Sequence, residues 1–305
     1  MKAFFRLGLL GGPKVASSPS PAMHMEALKA SGLKGAYTPL EVTPASLESS
    51  LAALFELGFD GLNVTVSHKR AVIGRLVSLS EEAEKIGAVN TLLRGPEGFS
   101  GFNTDASGFA SAYLADISPR ARTLLLGAGG AARAVAQALS ANNLEAYIAC
   151  RDKRAADELA ASFGHKAATW TEISDLEPLD LAINATSASS PAELGAMAPN
   201  LPLAKGALMV DLNYGRPFNH FQDQAAKSEA VFKDGLPMLA HQARFSFKIW
   251  TGADPGLGPF WRALTEARNE ALSEPQIETW GAAHGLKNLP EDEEAPKSKA
   301  GEAEK

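Results

Sequence analysis

The sequence predicts an α/β protein built as two domains, and two observations lead there. Apolar strand-like runs alternate with runs of helical spacing over most of the chain, the pattern of layered sheets and helices. From Arg122 onward the alternation becomes a much more regular β-α-β run, just past a change of pattern at Asp105–Ala106 where the first domain is expected to end. At 305 residues the chain is long enough to bury two cores.

Taken in order, Phe4–Leu10 reads as a strand, Val15 to Pro21 as a Ser/Pro-rich loop and Ala22–Ala30 as a helix. Tyr37–Val42 reads as a second strand. Leu47, Leu51, Leu54, Phe55 and Gly58 follow at helical spacing. Gly61–Val66 is a third strand, ending at Ser67-His68-Lys69. Ser80 is placed to cap a short helix through Ile86. Thr91–Leu93 and Phe99–Phe102 are strands joined by the Gly95-Pro96-Glu97-Gly98 turn. Beyond Arg122 the strands are Thr123–Leu126, Ala146–Ala149, Leu181–Ser187 and Met209–Tyr214, with a helix over Ala131–Leu139. A helix near His241 opens a segment, to about Ala283, that returns to pack on the first domain; its Phe245, Ile249 and Trp250 read as core. Residues 288–305 are rich in Glu, Lys, Ala and Pro and are expected to form a disordered tail.

Charge and cysteine content narrow the functional classes. A net charge of −6 offers no basic footprint for nucleic acid or for an anionic membrane, so neither is expected as a partner. The single Cys150 excludes an internal disulfide framework and suits a reducing compartment. Arg6 and the Gly11-Gly12-Pro13 stop break up the first apolar run before it could serve as a secretory core, and a cytoplasmic location is expected. The histidines and the cysteine show no metal-binding spacing, so no metal is expected.

The strongest local motif is Thr123–Leu126 followed by Gly127-Ala128-Gly129-Gly130-Ala131. A buried strand runs into glycines and then into a helix. Gly127 permits the tight turn, Gly129 allows backbone to approach a pyrophosphate, and the positive end of the helix faces the phosphates. With the second strand Ala146–Ala149 at β-α-β distance, a dinucleotide site is the expected reading. Cys150-Arg151-Asp152-Lys153-Arg154 follows that strand, with no acid at its end and three cations close by. Guanidinium suits a 2′-phosphate, which favours NADP; NAD stays open because Asp152 could turn toward a ribose. The ends of the later strands, at Thr186, Ser187 and Tyr214, are candidate cofactor-lining positions or ordinary loop starters.

In the first domain, Asn63-Val64-Thr65-Val66-Ser67-His68-Lys69 places a lysine just past a strand end beside Asn and Thr, a candidate general acid/base. Gly87-Ala88-Val89-Asn90-Thr91, Asn103-Thr104-Asp105 and Ser18-Pro19-Ser20-Pro21 accompany it; farther on stand Asn184 to Ser187, Asp211 to Tyr214 and Asp234-Gly235-Leu236-Pro237-Met238-Leu239 with Gln242. Together with the glycine turn, and in this order, these segments resemble the shikimate dehydrogenase family, shikimate and quinate dehydrogenases included.

The resemblance implies a substrate domain over residues 1–105 with a mixed sheet, a Rossmann-like NADP domain over 106–240, C-terminal helices over 241–287 and a monomer or homodimer. It implies reversible reduction of 3-dehydroshikimate to shikimate, a step of aromatic biosynthesis. Lys69 and Asp105 would be the catalytic pair. Ser18, Ser20 and Tyr214 would hold the substrate carboxylate, while Asn63, Thr65, Asn90 and Gln242 would bind ring hydroxyls or set the lysine. Gly127, Ala128, Gly129, Gly130 and Ala131 would cradle the pyrophosphate, Arg151 and Arg154 would read the adenosine phosphate, and Thr186, Ser187 and Gly235 would line the cofactor site. The chain departs from the family at Pro19, at Ser67-His68, at Ala106, at Pro237 and at Cys150-Arg151-Asp152. These departures keep open a paralogue acting on quinate or another cyclic hydroxy acid, or using NAD. A nucleotide-binding regulator without turnover is the reading from a different class.

Overall fold

Two six-stranded sheets organise the chain in the computed structural model, which describes residues 2–66, 68–188, 190, 192–195, 200–215 and 219–269. The first sheet holds β1 (Phe5–Gly11), β2 (Gly35–Glu41), β3 (Gly61–Val64), β4 (Ser78–Leu79), β5 (Thr91–Arg94) and β6 (Phe99–Phe102), in the order β2-β1-β3-β5-β6-β4. It is mixed: β1 runs parallel to β2 and β3, whereas β5 is antiparallel to both β3 and β6. The second holds β7 (Thr123–Leu126), β8 (Ala146–Ala149), β9 (Lys166–Ala167), β10 (Leu179–Asn184), β11 (Leu203–Asp211) and β12 (Val231–Lys233), all parallel, in the order β12-β11-β10-β7-β8-β9. That order reverses direction between β7 and β10, the switch point where open α/β sheets take their ligands.

Helices cover both faces of each sheet. In the first domain α1 (Ser20–Ala30) lies on one face, with α2 (Leu47–Glu56) and α3 (Glu81–Ile86) on the other. Leu47, Leu51 and Leu54 are the buried stripe of α2, and Ser80 caps α3 by accepting the Ala83 N–H at 3.2 Å. Gly87 ends α3 in the left-handed region at φ 67°. α4 (Asp105–Tyr113) carries the chain to the second sheet, which α5 (Gly130–Ala141), α6 (Lys153–Phe163) and α7 (His220–Lys227) flank. α8 (Leu236–Thr251) brings the chain back, and α9 (Gly258–Asn269) follows. Phe247, Trp250, Phe260 and Trp261 share one core with Phe5, Leu7, Met23 and Leu28, so α8 and α9 pack on the first sheet. Gly61 leaves room for the Trp250 indole, whose Nε1 donates to the Leu92 carbonyl at 2.8 Å.

Several expectations need correcting. The third strand stops at Val64 rather than Val66; Thr65 still donates its N–H to the Leu10 carbonyl, but Val66 turns out to solvent. The strand expected over Met209–Tyr214 runs from Leu203 to Asp211, because the Asp211 carboxylate takes the Asn213 N–H and bends the chain away. α8 starts at Leu236 instead of near His241, Pro237 being compatible with a first helical turn. Of the three α8 residues read as core, Trp250 is buried, but Phe245 and Ile249 are half-exposed and line a surface groove with Lys248. The tail expected over 288–305 lies outside the described residues. Among the described residues no helix is long and apolar enough to cross a membrane.

Candidate active site

The ends of β3 and β6 and the start of α4 bring the first candidate residues together. Lys69 follows β3 by five residues, and Asp105 opens α4 directly after β6. Lys69 Nζ donates to Asp105 Oδ2 at 2.6 Å, with the lysine side chain 16% and the aspartate 5% exposed. A charge-assisted contact this short and this sheltered from water fixes both groups.

Asn90, just before β5, holds the other carboxylate oxygen. Its Nδ2 donates to Asp105 Oδ1 at 2.9 Å and also lies within reach of Thr104 Oγ1 at 2.9 Å and Gln242 Oε1 at 3.3 Å. The Asn90 Oδ1 accepts the Thr104 N–H at 2.8 Å and the Thr91 hydroxyl at 2.9 Å, which fixes the amide orientation. Gln242 is held in turn by its Nε2 donating to the Leu239 carbonyl at 2.9 Å. Gly108 of α4 lies directly beneath it: a Cβ there would come within 2.8 Å of Gln242 Cβ.

Asn63 joins this network from β3. It accepts the Tyr37 hydroxyl at 2.8 Å and donates to Ser246 Oγ at 3.0 Å and the Asn90 carbonyl at 3.2 Å. Burial raises the Tyr37 phenol well above its ordinary value, with Ser20 as an opposing hydrogen-bond partner, so the phenol stays a donor. Ser18 Oγ donates to Ser20 Oγ at 3.1 Å where α1 begins, which puts both serine hydroxyls at one spot. Thr65 is half-buried, its methyl covering Gly11. Tyr214 stands past β11 with its ring 39% exposed and makes no hydrogen bond to Ser18 or Ser20, so the structure does not join the three expected carboxylate ligands.

The glycine turn lies against this cluster. A Cβ on Gly130 would touch Lys69 Cβ at 3.6 Å, Lys69 Cδ at 3.7 Å and Ala88 Cβ at 3.7 Å. Gly127 sits at the switch point with φ 116°, and a Cβ there would meet the Ala185 carbonyl oxygen, just past β10, at 3.0 Å. Over Gly129 a Cβ would meet nothing within 4 Å, so the approach to the α5 N-terminus is open. Ala128 and Ala131 flank it, both half-buried.

At the end of β8, Asp152 caps α6 by accepting the Arg154 and Ala155 N–H groups at 3.0 and 3.4 Å. Its Oδ1 is thereby turned toward the helix N-terminus. Arg151 and Arg154 are exposed and their side chains have no partner among the described residues, whereas the neighbouring Lys153 pairs with Asp157 at 2.9 Å. Thr186 donates its hydroxyl to Asn184 Oδ1 at 2.7 Å, so it shapes the end of β10 rather than presenting a free hydroxyl. Ser187 follows on an exposed loop. Gly235 is needed for packing, since any side chain would collide with the Leu212 carbonyl.

His68, one of the departures from the family pattern, turns inward. The ring is fully buried with Nε2 against the Val42 carbonyl at 2.8 Å, so it faces neither solvent nor a ligand. Ser67 lies outside the described residues. Four residues escaped the sequence reading as site members: Tyr37, Thr91, Thr104 and Ser246. Ser246 Oγ donates to the Gln242 carbonyl at 3.0 Å and lies 2.7 Å from Thr91 Oγ1 and 3.1 Å from Thr104 Oγ1. Its one signal was its place one helical turn past Gln242. Among the described residues no group of three or more His, Cys, Asp or Glu could hold a metal ion.

Comparison with known proteins covers both sheets. The chain matches the family models described as shikimate dehydrogenase substrate binding domain over residues 10–92, shikimate / quinate 5-dehydrogenase over 111–230 and shikimate 5′-dehydrogenase C-terminal domain over 235–265. It is 39% identical over 272 residues to a shikimate dehydrogenase (NADP(+)) of Thermus thermophilus, spanning 88% of this chain and 98% of that one. The crystal structure of a shikimate 5-dehydrogenase from the same species, in complex with NADP(H) and shikimate, superposes with a TM-score of 0.76 at 36% identity, covering 86% of this chain and 99% of that one. Quinate dehydrogenase from Corynebacterium glutamicum in complex with NAD gives a TM-score of 0.75 at 29% identity, covering 86% and 99%. The likeness extends through both domains and nearly the whole length of these relatives, and the chain belongs to the shikimate dehydrogenase family.

Proposed function

We propose that this chain catalyses the NADP-dependent, reversible reduction of 3-dehydroshikimate to shikimate, with Lys69 and Asp105 as its acid/base pair. The observation that carries the reading is the 2.6 Å Lys69–Asp105 contact packed against Gly130, at the first turn of the helix that follows the glycine turn. A nicotinamide, when bound, supplies the hydride in one direction and accepts it in the other.

The chain's own residues do the rest. As the substrate carbonyl gains negative charge, the Lys69 ammonium stabilises its oxygen and delivers a proton from Nζ. Asp105 Oδ2 keeps that ammonium in place, and Asn90 keeps Asp105 from rotating by holding Oδ1. In the oxidative direction the same pair takes the proton back. Ser18 and Ser20 offer hydroxyls to a carboxylate, while Asn63, Asn90 and Gln242 supply polar groups for a polyhydroxylated ring.

The residues present fit a 2′-phosphorylated dinucleotide. The open face over Gly129 admits a diphosphate to the positive end of α5, and Arg151 and Arg154 have guanidinium groups free for a further phosphate. Asp152 Oδ1 is engaged in the α6 cap rather than held toward a ribose diol, which argues for NADP over NAD. The intact ion pair argues against a regulator without turnover.

The test is oxidation of shikimate and quinate with each of the two cofactors. Shikimate with NADP should give the highest kcat/KM; preference for quinate or NAD would move the chain to the paralogue reading, and no turnover in all four combinations would end the dehydrogenase reading. Lys69→Ala should lower kcat by about 10²–10⁴ with NADP binding nearly unchanged. Unchanged turnover would remove Lys69 from the mechanism.

A further inference from the structure

The segment from Ile86 to Asn90 touches both members of the ion pair. The Val89 N–H donates to the Lys69 carbonyl at 2.8 Å. Asn103, two residues before Asp105, donates its side-chain amide to the Ala88 carbonyl at 2.9 Å and accepts the Asp105 N–H at 2.9 Å. Asn90 binds Asp105 directly. Any shift of this strap is therefore felt at Lys69 through the backbone and at Asp105 through two side chains.

One side chain of the other domain grips the strap. Arg133 lies in the first turn of α5, its own N–H bonded to the Gly129 carbonyl at 3.0 Å. Its Nε donates to the Ile86 carbonyl, one of the carbonyls that the end of α3 leaves without a helical partner. The guanidinium lies over Gly87, where a Cβ would stand 3.3 Å from Nη2 and 3.5 Å from Nε. From behind, the Phe163 ring of α6 supports it at 5.6 Å. The residue thus spans from the glycine turn to the strap, four residues from Asn90.

We propose that Arg133 is a positioning residue: through the Ile86 carbonyl it sets the distance between the glycine turn and the Lys69–Asp105 pair. It touches neither reacting atom. Its effect is to keep the proton donor in register with whatever the turn holds, and a displacement of about 1 Å at such a distance can cost about 10²-fold in rate. The proposal rests on the dehydrogenase reading for its kinetic consequence, but its structural part stands independently of turnover.

The experiment compares the full chain with Arg133→Met, which keeps the stem over Phe163 and removes the donors, and with Arg133→Lys, which restores a donor. Three quantities are read: amide hydrogen exchange at residues 87–90 without cofactor, the Kd for NADP by fluorescence, and kcat. In Arg133→Met the Val89 amide should exchange about tenfold faster or more. The NADP Kd should move less than about threefold and kcat should fall about 10²-fold, with Arg133→Lys recovering part of both losses. Unchanged exchange at 87–90 would overturn the strap contact. A kcat that stays at the starting value, or a loss that appears wholly in the NADP Kd, would overturn the positioning role. If the unaltered chain turned over neither acid, the dehydrogenase reading would fall, while the exchange measurement would still decide whether Arg133 holds the strap.

Discussion

Gly129→Ala separates folding from cofactor binding more sharply than any other single change in the turn. Gly129 has φ −78° and ψ −174°, an extended conformation open to every L-residue, and the added methyl would meet no atom within 4 Å. Its stability cost is then that of placing alanine at a helix N-cap, about 0.5 kcal/mol, or a melting shift of about 1–2 °C. Binding is another matter. The methyl projects into the space a diphosphate must enter to reach the α5 N–H groups, and losing one charge-assisted hydrogen bond there costs about 1.5–3 kcal/mol. NADP should therefore bind about 10–150-fold more weakly. Scanning fluorimetry without ligand gives the first quantity and a fluorescence titration with NADPH the second. Gly127→Ala serves as the contrast: at φ 116°, with the Ala185 carbonyl oxygen 3.0 Å from the new methyl, it should lose stability before any ligand is added. An unchanged NADPH affinity in a fully folded Gly129→Ala protein would mean that the turn is not the diphosphate seat.

Two further outcomes follow from the buried groups behind the site. Ser246→Ala removes a hydroxyl within reach of Thr91, Thr104, Asn63 and the Gln242 carbonyl, and should cost about 2 kcal/mol in chemical denaturation; a loss below about 0.5 kcal/mol would show that the network closes without it. His24 is buried among the Tyr37, Phe247, Trp250 and Phe260 rings, and that burial lowers its pKa from 6.5 to about 3. The unfolded chain therefore takes up the proton first, so this contribution is complete above pH 6.5 and is lost as pH falls toward 3, the loss reaching about 2 kcal/mol at pH 5. His24→Phe should flatten the acid dependence of stability, and equal slopes in the two proteins would refute the assignment.

The sequence made legible what depends on local pattern. The turn at Gly127–Ala131 announces itself because strand, glycines and helix are contiguous, and Ser80 and Gly87 are recognisable helix ends. Lys69, Asp105, Asn90 and Gln242 were reached through the order of short segments, and the structure brings all four within hydrogen-bond distance of one another or of a shared partner. What escaped depends on contacts across the chain. Thr91 and Thr104 lie in segments that carry the family resemblance but receive no role of their own from it, and nothing near Ser246 in sequence indicates that Asn63, 183 residues away, needs its hydroxyl. The sequence around Arg133 likewise carries no sign that its partner is a carbonyl of the other domain. The helix over His220–Lys227 and the three-residue strand at Val231 were missed because one is polar and the other short and at a sheet edge. The position of His68 beside Lys69 says nothing about direction: the two side chains part completely, one to the ion pair and one to the Val42 carbonyl.

The close approach of Gly108 to Gln242 has a consequence for motion. The chain crosses between its two sheets twice, through α4 and through α8, and the crossings meet where that glycine lets the backbones come together. The two crossing helices are packed against each other at this point, so any rearrangement of one sheet relative to the other has to involve them. Asp105 opens α4 and Gln242 lies on α8, so both belong to the crossings themselves, whereas Arg151 and the serines near the start of α1 do not. A bulkier residue at 108 would push directly on the backbone and Cβ of Gln242, and should therefore disturb the carboxylate's surroundings together with the packing of the two crossings.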